Sequence, residues 1–285
     1  MNQTNKYYEH SGIIGFLGPV YMIILGSLGA LVFGAIYGYA TDYISHLPGR
    51  GLVALRLFIT FGLGCVVGFL VGIGGRYGKV RNPKALLFFG FISGLIAEYA
   101  NWVSWVFAYY KQQTLILSPF DMLEFAKSLE SNISGINFND WTPAVIIIYL
   151  FWVIEAIIII GSAMIVARMM LSSTPFCERC DKWIKEEDLI SPLDPIGSPD
   201  ELKSRLEQGD FSLLKSLKIK AAETDAYTQI KLRHCPSCQH SNYLTIRAEI
   251  VSVDSNNKKK KSGTDIITNL IITYEQYKMI NEQWQ

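Results

Sequence analysis

Four of the five cysteines form two Cys-x-x-Cys pairs, Cys177 with Cys180 and Cys235 with Cys238. Two thiols separated by two residues can reach one ion from a single tight turn, and two such turns complete a tetrahedral shell of four thiolates. Pro236 favours the turn in the second pair. The spacing therefore predicts a Zn²⁺ site. Because four thiolates fill the shell, the ion is expected to be structural rather than catalytic.

Other chemistry for the same four cysteines stays open at the level of sequence. Two disulfides are one alternative, but they do not persist in a reducing cytoplasm, where the loop charges described below place this region. A redox-active dithiol is another, although no thioredoxin-like βαβ pattern surrounds either pair. An iron centre would use the same four ligands. The flanking His234 and His240 are expected to lie outside the shell.

At these cysteines the chain resembles zinc-ribbon proteins, because Cys235-Pro-x-Cys238 runs directly into a predicted β-hairpin. The resemblance implies a structural zinc ion on a small sheet. It covers only the two cysteine knuckles and the hairpin. The 54 residues between Cys180 and Cys235 (181 to 234) form an insertion much longer than a minimal ribbon contains.

A second set of candidates consists of polar residues inside long apolar stretches: Arg56, Glu98, Asn101 and Glu155. A charge at bilayer depth costs about 2.5–3.5 kcal/mol on insertion scales, so each needs a partner or a task. Asn101 follows Glu98 by three residues and shares its helical face. Two interpretations are open: a proton or ion relay, or an internal Arg56–Glu98 ion pair with Glu155 as hydrogen-bonded packing.

The elements that must position these residues begin with four apolar stretches in a chain of 285 residues, half of them hydrophobic. About twenty apolar residues cross a bilayer as a helix, because the helix satisfies its own backbone polar groups. Small residues spaced four apart predict close helix packing, in one bundle or in a homo-oligomer. The predicted spans are 18–41, 51–75, 85–109 and 143–169, and the small residues are Gly26, Ala30, Gly34, Gly38, Gly64, Gly68, Gly72, Gly90 and Gly94.

Loop charge predicts the orientation of these spans. The loop from Arg76 to Lys84 carries four basic residues and no acid, and short basic loops stay in the cytoplasm. Both termini are then cytoplasmic, and we expect a bacterial inner membrane. The loop 110–142 becomes extracytoplasmic. Within it, the segment Ser118–Ala126 predicts a capped helix lying on the membrane surface.

The remainder, 172–285, reads as a small cytoplasmic α+β domain. Between the two cysteine pairs we predict a Pro-rich loop (Pro192, Pro195 and Pro199) and a helical insertion over 198–217. We also predict a strand from Tyr227 to Arg233 and a hairpin of Tyr243–Val253 with Thr264–Thr273. The residues between the hairpin strands are predicted to be a turn. The turn contains a basic run that could contact anionic lipid or remain solvated: Lys258, Lys259, Lys260 and Lys261.

The predicted fold is an α-helical four-span membrane bundle (1–171) followed by a small zinc-ribbon-like domain (172–285). No nucleophile–base pair, phosphate-binding loop or open metal site is visible, so an enzyme is not expected. Nucleic-acid binding is not expected either, since no aromatic residues interleave with the basic run Lys258–Lys261. The leading hypothesis is a membrane scaffold or regulatory protein whose zinc domain recruits a cytoplasmic protein. The alternative is an oligomeric ion or proton channel that uses Glu98 and Glu155.

Overall fold

The structure is a computed structural model that describes residues 6–47, 52–134, 143–171, 174–184, 187–220, 225–253 and 259–284. The chain divides into two compact units. The helical unit is Ser11–Ser172. The C-terminal unit is Ser173–Gln285 together with Met1–His10.

The described part of the helical unit contains five helices, four of them long and apolar enough to cross a membrane. This confirms the predicted fold class of a four-span bundle. The helices are α1 (Gly18–Ser45), α2 (Leu52–Tyr77), α3 (Pro83–Tyr109), α4 (Pro119–Ser134) and α5 (Pro143–Met169). The four that are long and apolar enough to cross a membrane are α1, α2, α3 and α5.

The small-residue stripes lie at contacts between helices of the same chain. Helices α2 and α3 each pack against both α1 and α5. A Cβ added at Gly34 of α1 would lie 2.6 Å from the Ala97 carbonyl oxygen of α3. A Cβ added at Gly68 of α2 would lie 2.4 Å from the Ala163 carbonyl oxygen of α5. The glycines therefore let the helix backbones come into van der Waals contact. In lipid this contact helps to hold the helices together, because the burial of apolar side chains alone does not drive their association.

Helix α4 differs from the predicted surface helix because one of its large apolar side chains is buried. Phe120 and Leu123 are exposed, as expected for a helix on the membrane surface, but Phe125 is buried. The Phe125 ring packs against Trp105, with ring centroids 5.9 Å apart, and against Tyr109 at 5.3 Å. One face of α4 is thus anchored to the end of α3.

The C-terminal unit pairs a two-stranded hairpin with a four-stranded antiparallel sheet of order β3-β4-β5-β6. Helices α6, α7 and α8 cover one face of the sheet, and cross-strand pairs such as Ile230 with Ile246 and Leu232 with Leu244 form the core beneath them. The elements are β1 (Phe176–Cys177), β2 (Lys182–Trp183), β3 (Glu187–Leu193), α6 (Pro199–Glu207), α7 (Ser212–Ser216), β4 (Ala226–His234), β5 (Asn242–Val253), β6 (Lys259–Ile272) and α8 (Tyr274–Glu282).

Two sequence predictions about this sheet are wrong. Lys259–Gly263 was predicted to be turn, but it belongs to β6 and pairs with Glu249–Val253 of β5. Pairing with a long β5 overrides the turn propensity of the run, and Lys258 lies outside the described residues. The stretch around Pro192 was predicted to be loop, but it forms β3. That strand is at the sheet edge, where the missing proline N–H costs no ladder bond.

The N-terminal residues complete the other edge of the sheet, although sequence analysis assigned them to the membrane half. The Tyr8 N–H donates to the Asn269 carbonyl at 2.9 Å, and the Ile271 N–H donates to the Lys6 carbonyl at 2.9 Å. Unpaired strand edges invite association with other chains. Residues 6–8 therefore cover part of the β6 edge within the same molecule.

Gly68→Ala should destabilise the bundle, because the new Cβ meets the α5 backbone, which cannot move aside like a side-chain tip. Overpacking of this kind costs about 1–3 kcal/mol. The matched control is Gly62→Ala on the same helix, where the added Cβ meets nothing within 4 Å. Thermal unfolding of the detergent-purified protein measures both. Equal melting temperatures for the two variants would contradict the packing described here.

Candidate metal centre and intramembrane polar cluster

The second cysteine pair occupies a tight turn that leads out of β4. The Cys235 N–H donates to the Ser241 carbonyl at 2.9 Å, and the Gln239 N–H donates to the Cys235 carbonyl at 3.0 Å. Gln239, directly after Cys238, has φ of 57°, a left-handed conformation that closes the turn. These bonds hold both thiols on one side of the turn.

The first pair has a corresponding arrangement on the β1–β2 hairpin. Cys177 ends β1, and Cys180 lies in the turn before β2. Asp181 follows with φ of 52°, the counterpart of Gln239. The Ile184 N–H donates to the Pro175 carbonyl at 2.9 Å and closes the hairpin. Two knuckles of like geometry therefore face each other from separate strands.

The four thiol sulfurs converge, and all lie within 4.8 Å of one another. Cys177 Sγ and Cys238 Sγ lie 3.5 Å apart. In a tetrahedral four-thiolate shell with metal–sulfur bonds of about 2.3 Å, the sulfurs lie about 3.8 Å apart. The cluster therefore fits one tetrahedral ion, and its four ligands leave no coordination position for a substrate.

The thiols of Cys177 and Cys180 differ in pKa. Burial raises the pKa of Cys177, but hydrogen bonds from Ser241, the Cys180 backbone and neighbouring thiols outweigh it and lower this pKa to about 7. The hydrogen bond with Cys238 raises the pKa of Cys180 to about 12. One thiolate thus forms near neutral pH, and an incoming metal ion must displace the remaining protons.

His240, beside the second knuckle, connects the two knuckles through hydrogen bonds and is not one of the four converging ligands. Arg179 Nη1 donates to His240 Nε2 at 2.8 Å, because a guanidinium has no acceptor. The His240 Nδ1–H then donates to the Cys238 carbonyl at 2.8 Å. His234 lies against the Tyr277 ring, with centroids 4.6 Å apart. Neither histidine belongs to the four-ligand group, as expected from the sequence.

Tyr8 is a residue of this site that sequence reasoning missed. Its hydroxyl accepts the Phe176 N–H at 3.1 Å, next to Cys177, and its ring meets Tyr243 edge-on at 5.2 Å. Tyr8 packs against the apolar cluster that contains the cysteines. Nothing in a polar N-terminus suggests a contact with residues more than 160 positions away, so no sequence signal was available.

In the helical unit, Glu155 of α5 is the centre of a hydrogen-bonded network. Arg56 Nη2 of α2 lies 3.0 Å from Glu155 Oε2, and the Tyr37 hydroxyl of α1 donates to Glu155 Oε1 at 2.5 Å. Thr60 Oγ1 lies 2.6 Å from the Tyr37 hydroxyl and donates to the Arg56 carbonyl at 2.7 Å. The interpretation of an Arg56–Glu98 ion pair is therefore wrong, because Arg56 pairs with Glu155.

The other two predicted polar residues lie on α3, where the charges of Glu155 and Arg56 act on Glu98. Glu98 Oε1 accepts the Trp102 indole N–H at 2.9 Å, on the same helix. Asn101 is buried. Its backbone carbonyl oxygen would lie 2.6 Å from a Cβ added at Gly38 of α1. Tyr37 and Thr60 were missed, although a signal existed. Tyr37 adjoins the glycine stripe of α1, and Thr60 follows Arg56 by one helical turn.

Comparison with known proteins adds no identity to this geometry: no family model matches the chain, and neither a curated protein nor a solved structure does. The site must therefore be interpreted from its own residues. Those residues comprise a closed four-thiol cluster in the C-terminal unit and a satisfied ion pair in the helical unit.

We expect one metal ion per purified chain, measured by elemental analysis against protein concentration. Cys235→Ser should lose the ion and unfold the C-terminal unit, because metal binding contributes to folding free energy. Cys65→Ser is the matched control, since Cys65 lies in α2 and outside the cluster. A metal content that is unchanged in Cys235→Ser would refute the site.

Glu155→Leu should destabilise the bundle by roughly 1–3 kcal/mol, less than for a fully buried pair, because the Arg56 side chain is 44% exposed. The double variant Arg56→Leu/Glu155→Leu should regain part of that loss, since it leaves no unpaired charge. Thermal unfolding of the single and double variants gives the coupling. Additive losses would show that the two side chains do not stabilise each other.

Proposed function

We propose that the protein is a membrane-anchored scaffold or regulatory protein whose C-terminal unit recruits a cytoplasmic protein partner. The observation that carries the proposal is the convergence of the four cysteine sulfurs, which all lie within 4.8 Å of one another. A site with four thiolates is closed to substrate, so its task is to hold a domain in shape. A domain held in this way and attached to a membrane bundle is suited to binding.

Zinc is the ion we propose, in a site of zinc-ribbon type. Two tight cysteine turns, one on a hairpin and one leading into an antiparallel strand pair, support the ribbon comparison. Four thiolates and tetrahedral spacing are also the preferred environment of Zn²⁺. An iron centre would use the same ligands, and elemental analysis of the protein purified from cells separates the two.

The proposed orientation places both termini in the cytoplasm of a bacterial inner membrane. Arg76, Lys79, Arg81 and Lys84 cluster between α2 and α3, and short basic loops are retained in the cytoplasm. The C-terminal unit would then lie in a reducing compartment. Reduced thiols are what a four-thiolate zinc site requires.

Within the C-terminal unit, the sheet face opposite α6–α8 is the surface we propose for the partner. Along β4, Gln229, Lys231 and Arg233 alternate with the core residues, so they lie on this face. On β5 and β6 the face continues with Arg247, whose Nε lies 2.6 Å from Glu249 and whose Nη1 lies 3.3 Å from Asp265. Mixed charge of this kind suits a protein partner better than nucleic acid, which needs a uniformly basic surface.

The channel alternative draws less support from the polar residues. Arg56 and Glu155 pair with each other, and Tyr37 completes the carboxylate's bonds. Groups that satisfy one another stabilise a bundle and are not arranged to pass ions along. A proton flux in liposomes that Glu155→Gln abolishes would favour the channel and overturn the scaffold proposal.

The scaffold proposal is tested by photo-crosslinking in cells that express the full chain. A photoreactive residue at Gln229, on the open sheet face, should yield one discrete crosslinked product. The same probe at Ser204, an exposed residue of α6, the helix that lies over the other sheet face, should yield none. The product should disappear in Cys235→Ser and persist in Cys65→Ser. Crosslinks of equal yield from both positions, or from neither, would overturn the proposed surface.

A further inference from the structure

A cavity of about 380 Å³ lies between α3, α4 and α5. It is distinct from the Arg56–Glu155 network and contains none of that network's residues. Its described walls are mostly apolar, with one carboxylate. This volume falls within the range of small-molecule sites. The residues that matter for its chemistry are Glu98, Tyr99, Trp102, Tyr149 and Trp152.

Glu98 is the acidic residue in the wall of this cavity. Its Oε1 accepts the Trp102 indole N–H at 2.9 Å, whereas its Oε2 is buried and has no hydrogen-bond partner among the described residues. Arg56, which could have neutralised it, pairs with Glu155. A carboxylate in these surroundings has lost most of its hydration. A cation bound in the cavity would stabilise its charge, most strongly where water is excluded.

Aromatic rings indicate which kind of donor fits. Trp102 and Trp152 meet edge to face with centroids 4.8 Å apart, and Tyr149 meets Trp152 at 5.3 Å. Indole and phenol rings attract cations through their negative faces, most strongly where water is excluded. A carboxylate beside such rings is complementary to an ammonium group, whereas the apolar walls suit a hydrocarbon body.

We propose that this cavity binds a lipophilic primary ammonium compound, with the ammonium at Glu98 and the hydrocarbon body against α4. Met122 and Ala126 of α4, which line the cavity, are buried and apolar. Two sources share this chemistry: a hydrophobic amine from solution and the ethanolamine headgroup of a membrane lipid.

The test uses the full chain purified in dodecyl maltoside, a detergent that carries no cation, with 1-adamantylamine as the probe. Trp102 and Trp152 line the cavity, so tryptophan fluorescence should change saturably with the amine. The neutral 1-adamantanol and the anionic 1-adamantanecarboxylate should bind at least tenfold more weakly, because neither is a cation that can pair with the carboxylate.

Glu98→Gln should weaken amine binding at least tenfold, since it keeps the size of the side chain and removes its charge. Glu124→Gln is the matched control, because Glu124 lies on the exposed side of α4 and does not line the cavity. Leu123→Trp is a second variant for the case in which Glu98→Gln does not fold. Leu123 lines the cavity and is half exposed, so a larger side chain should block the mouth and abolish binding.

The two ligand sources are separated by adding phosphatidylethanolamine or diacylglycerol to the micelles. Competition by phosphatidylethanolamine alone assigns the site to an aminolipid, and no competition assigns it to a soluble amine. Three results would overturn the proposal: no saturable signal, equal affinity for amine and alcohol, or unchanged affinity in both Glu98→Gln and Leu123→Trp.

Discussion

The carboxylate of Glu155 is the polar contact on which the arrangement of the membrane helices depends. It receives Arg56 from α2 and Tyr37 from α1, so one side chain links three helices. In lipid no water can replace these donors, and each bond therefore constrains the rotation of its helix. Glycines such as Gly34 and Gly68 then let the backbones close around the network. The hydrogen bonds to Glu155 and the close approach at the glycines therefore favour the same arrangement of the helices.

The C-terminal unit is held by a different kind of constraint. Its sheet has an ordinary apolar core on one face, but the knuckle end depends on cysteines, with Arg179 and His240 joining the two turns. Tyr8 adds an N-terminal contact to the same end. The four-cysteine cluster thus brings together segments that are distant in the chain. Small domains with limited cores commonly use a metal centre to gain stability.

Glu98 and Glu155 show how identical side chains in similar settings acquire different roles. Both lie inside long apolar helices, but Glu155 has donors from two neighbouring helices, whereas one buried oxygen of Glu98 has no hydrogen-bond partner among the described residues. The structure alone explains the role of Glu155. Glu98 lines a cavity beside aromatic rings, and that position is the reason to connect it with the binding of a cation.

The sequence by itself determined the properties that depend on local composition. Apolar length predicted the four long helices, and runs of strand length rich in Ile, Val, Thr and Leu predicted the β5–β6 pair. Which of the charged side chains pair with each other was decided only by the tertiary structure. Arg56, Glu98 and Glu155 lie on three helices, and which two meet depends on helix rotation and packing, which no local pattern encodes. The pairing of residues 6–8 with β6 is non-local in the same way, because a few polar residues carry no record of a strand more than 250 positions away.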